Sequence, residues 1–263
     1  MAIQGTCHIC GKFGELSFEH VPPNSAFNDH PIVHYQMHQL MNQSDSGQRI
    51  RGKIRQKGAG EYTLCPSCNN RTGRFYGEAY AEWAKQGLEA INAARGQPEI
   101  FYPFLFRPLC VIKQIMCMFC SINGTRFREK YPSVERFVMD RDAKLLPPEL
   151  RVYAFYAIGP VSRSVGVAGT MRGFVEGTPS TRIFSELTYP PFGYVLSYNS
   201  PPPDDQFLDI TYFSRFNYVE VRKDYLRFPV RPVFTYFPGD YRAPDKVAKD
   251  AAIALGDWTS SEN

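Results

Sequence analysis

Histidine is absent after residue 38, and this absence restricts the chemistry of the 263-residue chain more than any other feature of its composition. All the histidines lie in the N-terminal part, at positions 8, 20, 30, 34 and 38. Any reaction that requires an imidazole must therefore use this part of the chain.

Long apolar runs are missing as well. Residues 1–5 contain no apolar core before the first cysteine, so we expect no signal peptide. The most apolar segment, Leu105 to Cys120, is interrupted by Arg107 and Lys113 and is too short to span a bilayer. It is better interpreted as a buried helix. We therefore expect a cytoplasmic protein with no membrane partner.

A strong excess of charge is also lacking. The formal net charge of +4 is mild, so overall charge does not by itself indicate a nucleic-acid partner. The contents of 43% hydrophobic and 21% charged residues are ordinary for a soluble globular protein. The 7 cysteines are an odd number, which in a reducing compartment favours metal ligation over disulfides.

Two Cys-x-x-Cys pairs, Cys7 with Cys10 and Cys65 with Cys68, have the spacing of zinc knuckles. Together they offer four thiolates, enough to close a tetrahedral structural Zn²⁺ site. The segment between the pairs is longer than a compact zinc ribbon requires, so we expect a functional insertion there. The alternative is that the pairs are unrelated reduced cysteines.

Between the pairs lies the segment Phe18-Glu19-His20-Val21-Pro22-Pro23. Leu16 and Phe18 alternate with polar residues, which predicts a short strand that the prolines end. Adjacent residues of a strand point to opposite faces, so Glu19 and His20 need a local distortion to reach one ion. Alternatively, His20 is a surface imidazole with no catalytic role.

Basic residues follow in a segment without acids. They are Arg49, Arg51, Lys53, Arg55 and Lys57, and an extended chain would align them for contacts to a phosphate backbone. A solvated hairpin is the alternative. A helix is predicted over residues 75–94, a few residues after Asn69 and Asn70. Helix starts attract anions, and Arg71 and Arg74 strengthen this attraction. His30, His34 and His38, spaced by four, would share one face of a helix; a solvated face is favoured over metal binding.

The second half of the chain carries no convincing catalytic cluster. A hydrophobic helix is predicted from about Phe104 to Ser121, with Cys110, Cys117 and Cys120 as core thiols. Later segments, separated by Gly and Pro, read as strands of an antiparallel sheet or small barrel: 152–158, 182–189, 192–198, 207–213 and 231–237.

The order Cys-x-x-Cys, Glu19-His20-x-x-Pro23, Cys-x-x-Cys-Asn69 resembles the HNH endonuclease superfamily, also called ββα-metal or treble-clef nucleases. The resemblance covers roughly residues 5–90. It implies that His20 is the general base that activates water. It also implies that Glu19 and Asn69, with Asn70 as the fallback, hold a catalytic Mg²⁺ or Mn²⁺. Many members have an asparagine that orients the base where this chain has Gly60.

The sequence therefore predicts an α+β protein with a treble-clef zinc domain at residues 1–97 and a helical, then β-rich, domain of unknown role at residues 98–263. The expected function is hydrolysis of phosphodiester bonds in DNA, with RNA also possible, in a phage-conflict or antiviral defence setting. The alternative is a catalytically silent zinc module that binds nucleic acid or a protein. The second domain could carry a protein or oligomer contact.

Overall fold

A computed structural model of the chain describes residues 2–37, 51–175, 178–250 and 252. Near the N-terminus, β1 (Ile3–Thr6) and β2 (Phe13–His20) form an antiparallel hairpin, and β2 also pairs with β5 (Gly60–Leu64). The strand predicted before Glu19 is therefore confirmed. The first Cys-x-x-Cys pair lies in the turn between β1 and β2, and the second lies directly after β5.

A separate two-stranded ribbon lies within the insertion. It consists of β3 (Ile32–His34) and β4 (Lys53–Arg55), which pair antiparallel. The prediction that His30 and His34 share a helix face is wrong, because His34 ends a strand. His38, Arg49 and the tail from residue 253 lie outside the described residues.

Helical structure begins at Pro66, earlier than the predicted start at residue 75. It comprises α1 (Pro66–Thr72), a π-helical turn (Gly73–Gly77) and α2 (Glu78–Ala94). Proline is favoured in a first helical turn, where its missing N–H leaves no hydrogen bond unmade. Asn69 and Asn70 therefore lie within α1 and do not precede the helix.

The apolar segment after residue 98 divides into a strand and a helix. Residues Phe104 to Phe106 end β6 (Glu99–Phe106), so the predicted helix start at Phe104 is wrong. In β6 exposed and buried residues alternate at its ends, as expected of a strand with one solvent face. The helix α3 (Pro108–Asn123) begins at a proline, and its side chains from Pro108 to Ser121 are buried. Two short helices follow, α4 (Thr125–Lys130) and α5 (Ser133–Met139).

The remaining strands, with β6, build one seven-stranded sheet of order β6-β12-β7-β10-β9-β8, with β11 paired to β7. Their bounds are β7 (Leu150–Ile158), β8 (Arg163–Val175), β9 (Thr178–Tyr189), β10 (Phe192–Tyr198), β11 (Leu208–Asp209) and β12 (Arg222–Pro232).

Some strand predictions in this half need correction. The strand at 192–198 is confirmed. The one at 207–213 is largely wrong, because a 3₁₀ turn (Thr211–Arg215) follows β11. The one at 231–237 is also largely wrong, because β12 ends at Pro232. β12 pairs with β7 in parallel, so the sheet is not purely antiparallel.

The core joins the region of the two Cys-x-x-Cys pairs to the large sheet. A single cluster of buried side chains extends from Cys7 through α3 to Phe228 on β12. Trp83 of α2 lies fully buried in it, with its ring stacked on Phe192 at 5.1 Å. Cys110, Cys117 and Cys120 are buried in the same cluster, which confirms their prediction as core thiols.

The coarse prediction of a mixed helix and sheet protein with a four-cysteine cluster is confirmed, and the domain boundary at residues 97–98 stays a prediction. Within the described ranges, no helix is both long enough and apolar enough to cross a bilayer.

Candidate metal centre and neighbouring active site

The two Cys-x-x-Cys pairs meet at one point. The sulfur atoms of Cys7, Cys10, Cys65 and Cys68 all lie within 4.8 Å of one another, and the Sγ atoms of Cys10 and Cys65 are 3.9 Å apart. A tetrahedral zinc ion with bonds of about 2.3 Å places its sulfur ligands about 3.8 Å apart. These four side chains can therefore hold a zinc ion in the closed geometry of a structural site.

Local backbone geometry brings the four sulfurs together. Cys7 and Cys10 occupy a tight turn in which the N–H of Gly11 donates to the carbonyl of Cys7 at 2.9 Å. Cys65 precedes α1 and Cys68 lies in its first turn, so a helix start completes the cluster. A side-chain hydrogen bond with Cys68 lowers the pKa of Cys7. A lowered pKa favours the thiolate, which is the form that ligates zinc.

Elements of the second half support this centre. His8 donates a ring hydrogen bond from Nδ1 to the carbonyl of Ser121 on α3 at 2.8 Å. The guanidinium of Arg128 on α4 packs over Gly11, where a Cβ atom would lie 2.6 Å from its central carbon. Gly11 also has a φ of 70°, a conformation that favours glycine. The knuckle is thus held between α3 and α4.

Glu19 turns towards the interior. It is 6% exposed, and burial raises the pKa of its carboxyl to about 8. A register shift in the pairing of β2 with β5 falls between Ser17 and Phe18, not between Glu19 and His20. The pair therefore keeps the alternation of a regular strand, with Glu19 facing inwards.

His20 lies on the other side of β2, half-buried, with its ring edge-on to Phe18 at 4.9 Å between ring centres. Burial lowers the pKa of His20, while a backbone hydrogen bond with Lys57 opposes this shift. The imidazole is therefore neutral at physiological pH. A neutral ring nitrogen can accept a proton, which is the property that a general base needs.

The surroundings of His20 are aromatic and basic. The ring of Tyr62 on β5 contacts Phe18 at 5.4 Å, and the ammonium of Lys57 lies 5.8 Å from the centre of the Phe18 ring. Tyr62 is partly exposed. A cation and ring faces next to an imidazole offer contacts for both the phosphate and the bases of a nucleic acid.

Asn69 links α1 to the strand that carries His20. Its side-chain amide donates to Ser17 Oγ at 3.0 Å and to the carbonyl of Phe18 at 3.1 Å. Both bonds use the amide nitrogen, so the carbonyl oxygen of the side chain is the atom that could ligate a cation. Asn70, one residue later, is exposed.

The backbone at Gly60 lies close against β2. A Cβ atom at residue 60 would lie 2.2 Å from the carbonyl oxygen of Glu19 and 2.8 Å from the ring of Phe18. No side chain fits at this point of the β2–β5 pairing. The backbone of Lys57, in the insertion, is the group that hydrogen-bonds the His20 ring.

A buried asparagine that sequence reasoning missed fixes the loop after His20. Asn28 Nδ2 donates to the carbonyls of Pro22 and Ala59, each at 2.7 Å, and its Oδ1 accepts the N–H of Ala59 at 2.7 Å. These bonds hold the loop after β2 against the residues just before β5. A single polar residue in a polar segment gives no signal of burial, so only the structure identifies it.

The predicted basic surface is only partly assembled. Arg55 is engaged by the carbonyl of Gly60 and by Glu61, both at 2.6 Å, while Arg51 and Lys53 are exposed. Arg71 and Arg74 pack against the ring of Phe75. Among the predicted cations, Lys57 is the one whose charge acts on His20.

Comparisons with protein-family models, curated proteins and solved structures found no match to this chain.

Proposed function

We propose that this chain is an endonuclease that hydrolyses phosphodiester bonds of DNA, with His20 as the general base. The observation that carries the proposal is the environment of His20. Burial lowers the pKa of its imidazole, which lies at the end of a strand with the backbone of Lys57 as hydrogen-bond partner and the ring of Phe18 edge-on to it. The Phe18 ring in turn contacts Tyr62 and the ammonium of Lys57. This strand is anchored to the four-cysteine cluster through β5 and α1.

In the proposed reaction, His20 takes a proton from the attacking water, and the backbone of Lys57 fixes the orientation of the ring. The ammonium of Lys57 offsets negative charge on the phosphate. A zinc ion in the four-cysteine cluster would stabilise the fold around β1, β2 and α1 and takes no part in proton transfer.

A catalytic Mg²⁺ or Mn²⁺ fits these residues in part. The side-chain oxygen of Asn69 is a suitable hard ligand. Glu19 does not fit in the arrangement described, because its carboxyl is buried, protonated near neutral pH and directed away from His20. In our proposal, Glu19 contributes to cation binding only if it ionises and turns outwards.

The proposal is tested by nicking of supercoiled plasmid DNA in Mg²⁺ or Mn²⁺. We expect His20→Ala to abolish nicking while zinc content and thermal unfolding stay unchanged. The matched control is His34→Ala, since His34 is also half-buried and burial also lowers its pKa. This control should nick at the wild-type rate.

A catalytically silent zinc module is the second candidate. The observation that favours it is the inward position of Glu19, because the carboxylate predicted to hold the catalytic cation then does not face the His20 side of β2. On this hypothesis the protein binds DNA through Lys57 and the rings near it, yet does not cleave DNA in either metal. Binding that persists without nicking by the wild-type protein would favour this second function.

A further inference from the structure

The large sheet has one face that is only partly covered. Its inner face packs on α2 and α3 through residues such as Phe104 and Phe228. On the outer face, a second buried cluster covers the central strands; it includes Phe155, Val195 and Phe207. This second cluster does not cover the outer face of β6 and β12.

This uncovered face carries large side chains at every second position. Phe101 and Leu105 on β6 are 61% and 59% exposed, and Tyr225 on β12 is 60% exposed. Across the two strands, Leu105 lies opposite Lys223, Pro103 opposite Tyr225 and Phe101 opposite Arg227. We call these six residues the β6–β12 strip.

Rings and cations alternate along the β6–β12 strip. The rings of Phe101 and Tyr225 are stacked, with centres 5.1 Å apart, and the guanidinium of Arg227 lies 5.8 Å from the centre of Phe101. Arg227 also meets Glu99 at 3.4 Å, but both side chains are largely exposed, and such pairs are weak in water. Lys223 has no carboxylate partner among the described residues.

The edge of the sheet next to the strip is closed to a further strand. Gln86 on α2 donates to the carbonyl of Leu105 at 2.9 Å and accepts the N–H of Leu105 at 2.8 Å. Pro103, in the middle of β6, has no N–H to offer. A partner therefore has to bind the face of the strip and not its backbone edge.

We infer that the β6–β12 strip binds single-stranded nucleic acid, with a base stacked on the face of Tyr225 that Phe101 does not cover and phosphates near Lys223 and Arg227. The Phe101 ring supports Tyr225 from its other face. Exposed rings on a sheet with neighbouring cations form the usual platform for unpaired bases, because every base has a face to stack. This inference deepens the proposed nuclease function, since it names unpaired strands as the substrate class.

The test measures binding of a fluorescein-labelled oligothymidylate by fluorescence anisotropy. The protein is full-length His20→Ala, so that the probe is not cut. We expect Tyr225→Ala and Phe101→Ala each to raise Kd about tenfold, from the usual effect of removing a stacking ring. Phe13→Ala is the matched control, an exposed ring on β2 outside the strip, and should leave Kd within about twofold.

Salt dependence gives a second measurement. We expect Lys223→Ala to reduce the slope of log Kd against log salt concentration by about 0.7, the contribution of one phosphate contact on a single strand. All these residues are exposed, so unchanged thermal unfolding is the check on folding.

Three results would overturn the inference. The first is binding that neither ring substitution changes. The second is equal weakening by Phe13→Ala and Tyr225→Ala, which indicates that binding does not depend on the strip. The third is a concentration-dependent dimer in sedimentation that Tyr225→Ala abolishes, since the strip would then bind a second copy. Loss of plasmid nicking in His20→Ala with probe binding intact leaves the strip supported. A wild-type protein that binds the probe but never nicks contradicts only the nuclease function.

Discussion

Replacement of Glu19 by glutamine should remove a pH dependence of stability that burial creates. The folded protein raises the pKa of Glu19 from 4.5 to about 8. Between these values the folded state keeps a proton that the unfolded state releases, so the free energy of unfolding falls as the pH rises. The glutamine variant keeps a similar shape and has no proton to release.

The magnitude follows from the width of this window. Each pH unit inside the window lowers the free energy of unfolding by about 1.4 kcal/mol. At pH 7 the wild-type protein is therefore roughly 3 kcal/mol less stable than a protein with a neutral side chain at this position. Between about pH 6 and about pH 8, we expect Glu19→Gln to gain about 2 kcal/mol over the wild type.

Urea unfolding of the zinc-loaded proteins, followed by tryptophan fluorescence, measures this difference. Comparison of two zinc-loaded proteins at each pH cancels the pH dependence of the zinc site. Glu15→Gln, at an exposed position on the same strand, is the matched control for the loss of a glutamate. A Glu19→Gln difference that is constant with pH would refute the buried, protonated carboxyl. Removal of the pH dependence by added Mn²⁺ would indicate that Glu19 ionises to bind the cation.

Three further predictions follow from the site and its supports. Cys68→Ser should lower the bound zinc from about one ion per chain and destabilise the fold, because a closed tetrahedral site needs all its ligands. Metal analysis measures the zinc content and thermal unfolding measures the stability. The control variant Cys110→Ser should keep its zinc. Asn28→Ala should lower the free energy of unfolding in urea by about 2–4 kcal/mol, because the buried side chain loses three hydrogen bonds. A decrease below about 0.5 kcal/mol would contradict the role of Asn28 in fixing the loop after β2. Gly60→Ala should destabilise the β2–β5 pairing, since the added Cβ meets the carbonyl of Glu19; hydrogen exchange at β5 would show faster opening, and unchanged exchange would contradict the close approach.

The four-cysteine cluster was predictable from the sequence because the cysteine spacing that indicates it is local. Two Cys-x-x-Cys pairs specify two tight turns, and four thiolates have few uses other than a shared ion. The alternation before Glu19 likewise predicted β2. Strand alternation predicted that Glu19 and His20 point to opposite faces of β2. It did not predict which of the two side chains is buried.

The errors arose where a local pattern fits two structures. The apolar residues Phe104 to Phe106 fit a buried helix as well as a strand, and Pro108 then sets the start of the helix. His34 lies four residues from His30 and from His38, which is a helical spacing, yet its pairing with Lys53 places it in a two-stranded ribbon. Contacts between distant segments, such as Asn28 with Ala59, leave no periodic signal in the sequence.

The most direct test of the proposed nuclease is the rate of plasmid nicking by zinc-loaded wild-type protein and by His20→Ala, in Mn²⁺ and in Mg²⁺. General-base catalysis contributes about 10²- to 10⁴-fold, so we expect at least a hundredfold loss in His20→Ala and none in His34→Ala. Equal nicking by the wild-type protein and His20→Ala, or no nicking by the wild type in either metal, would contradict the account.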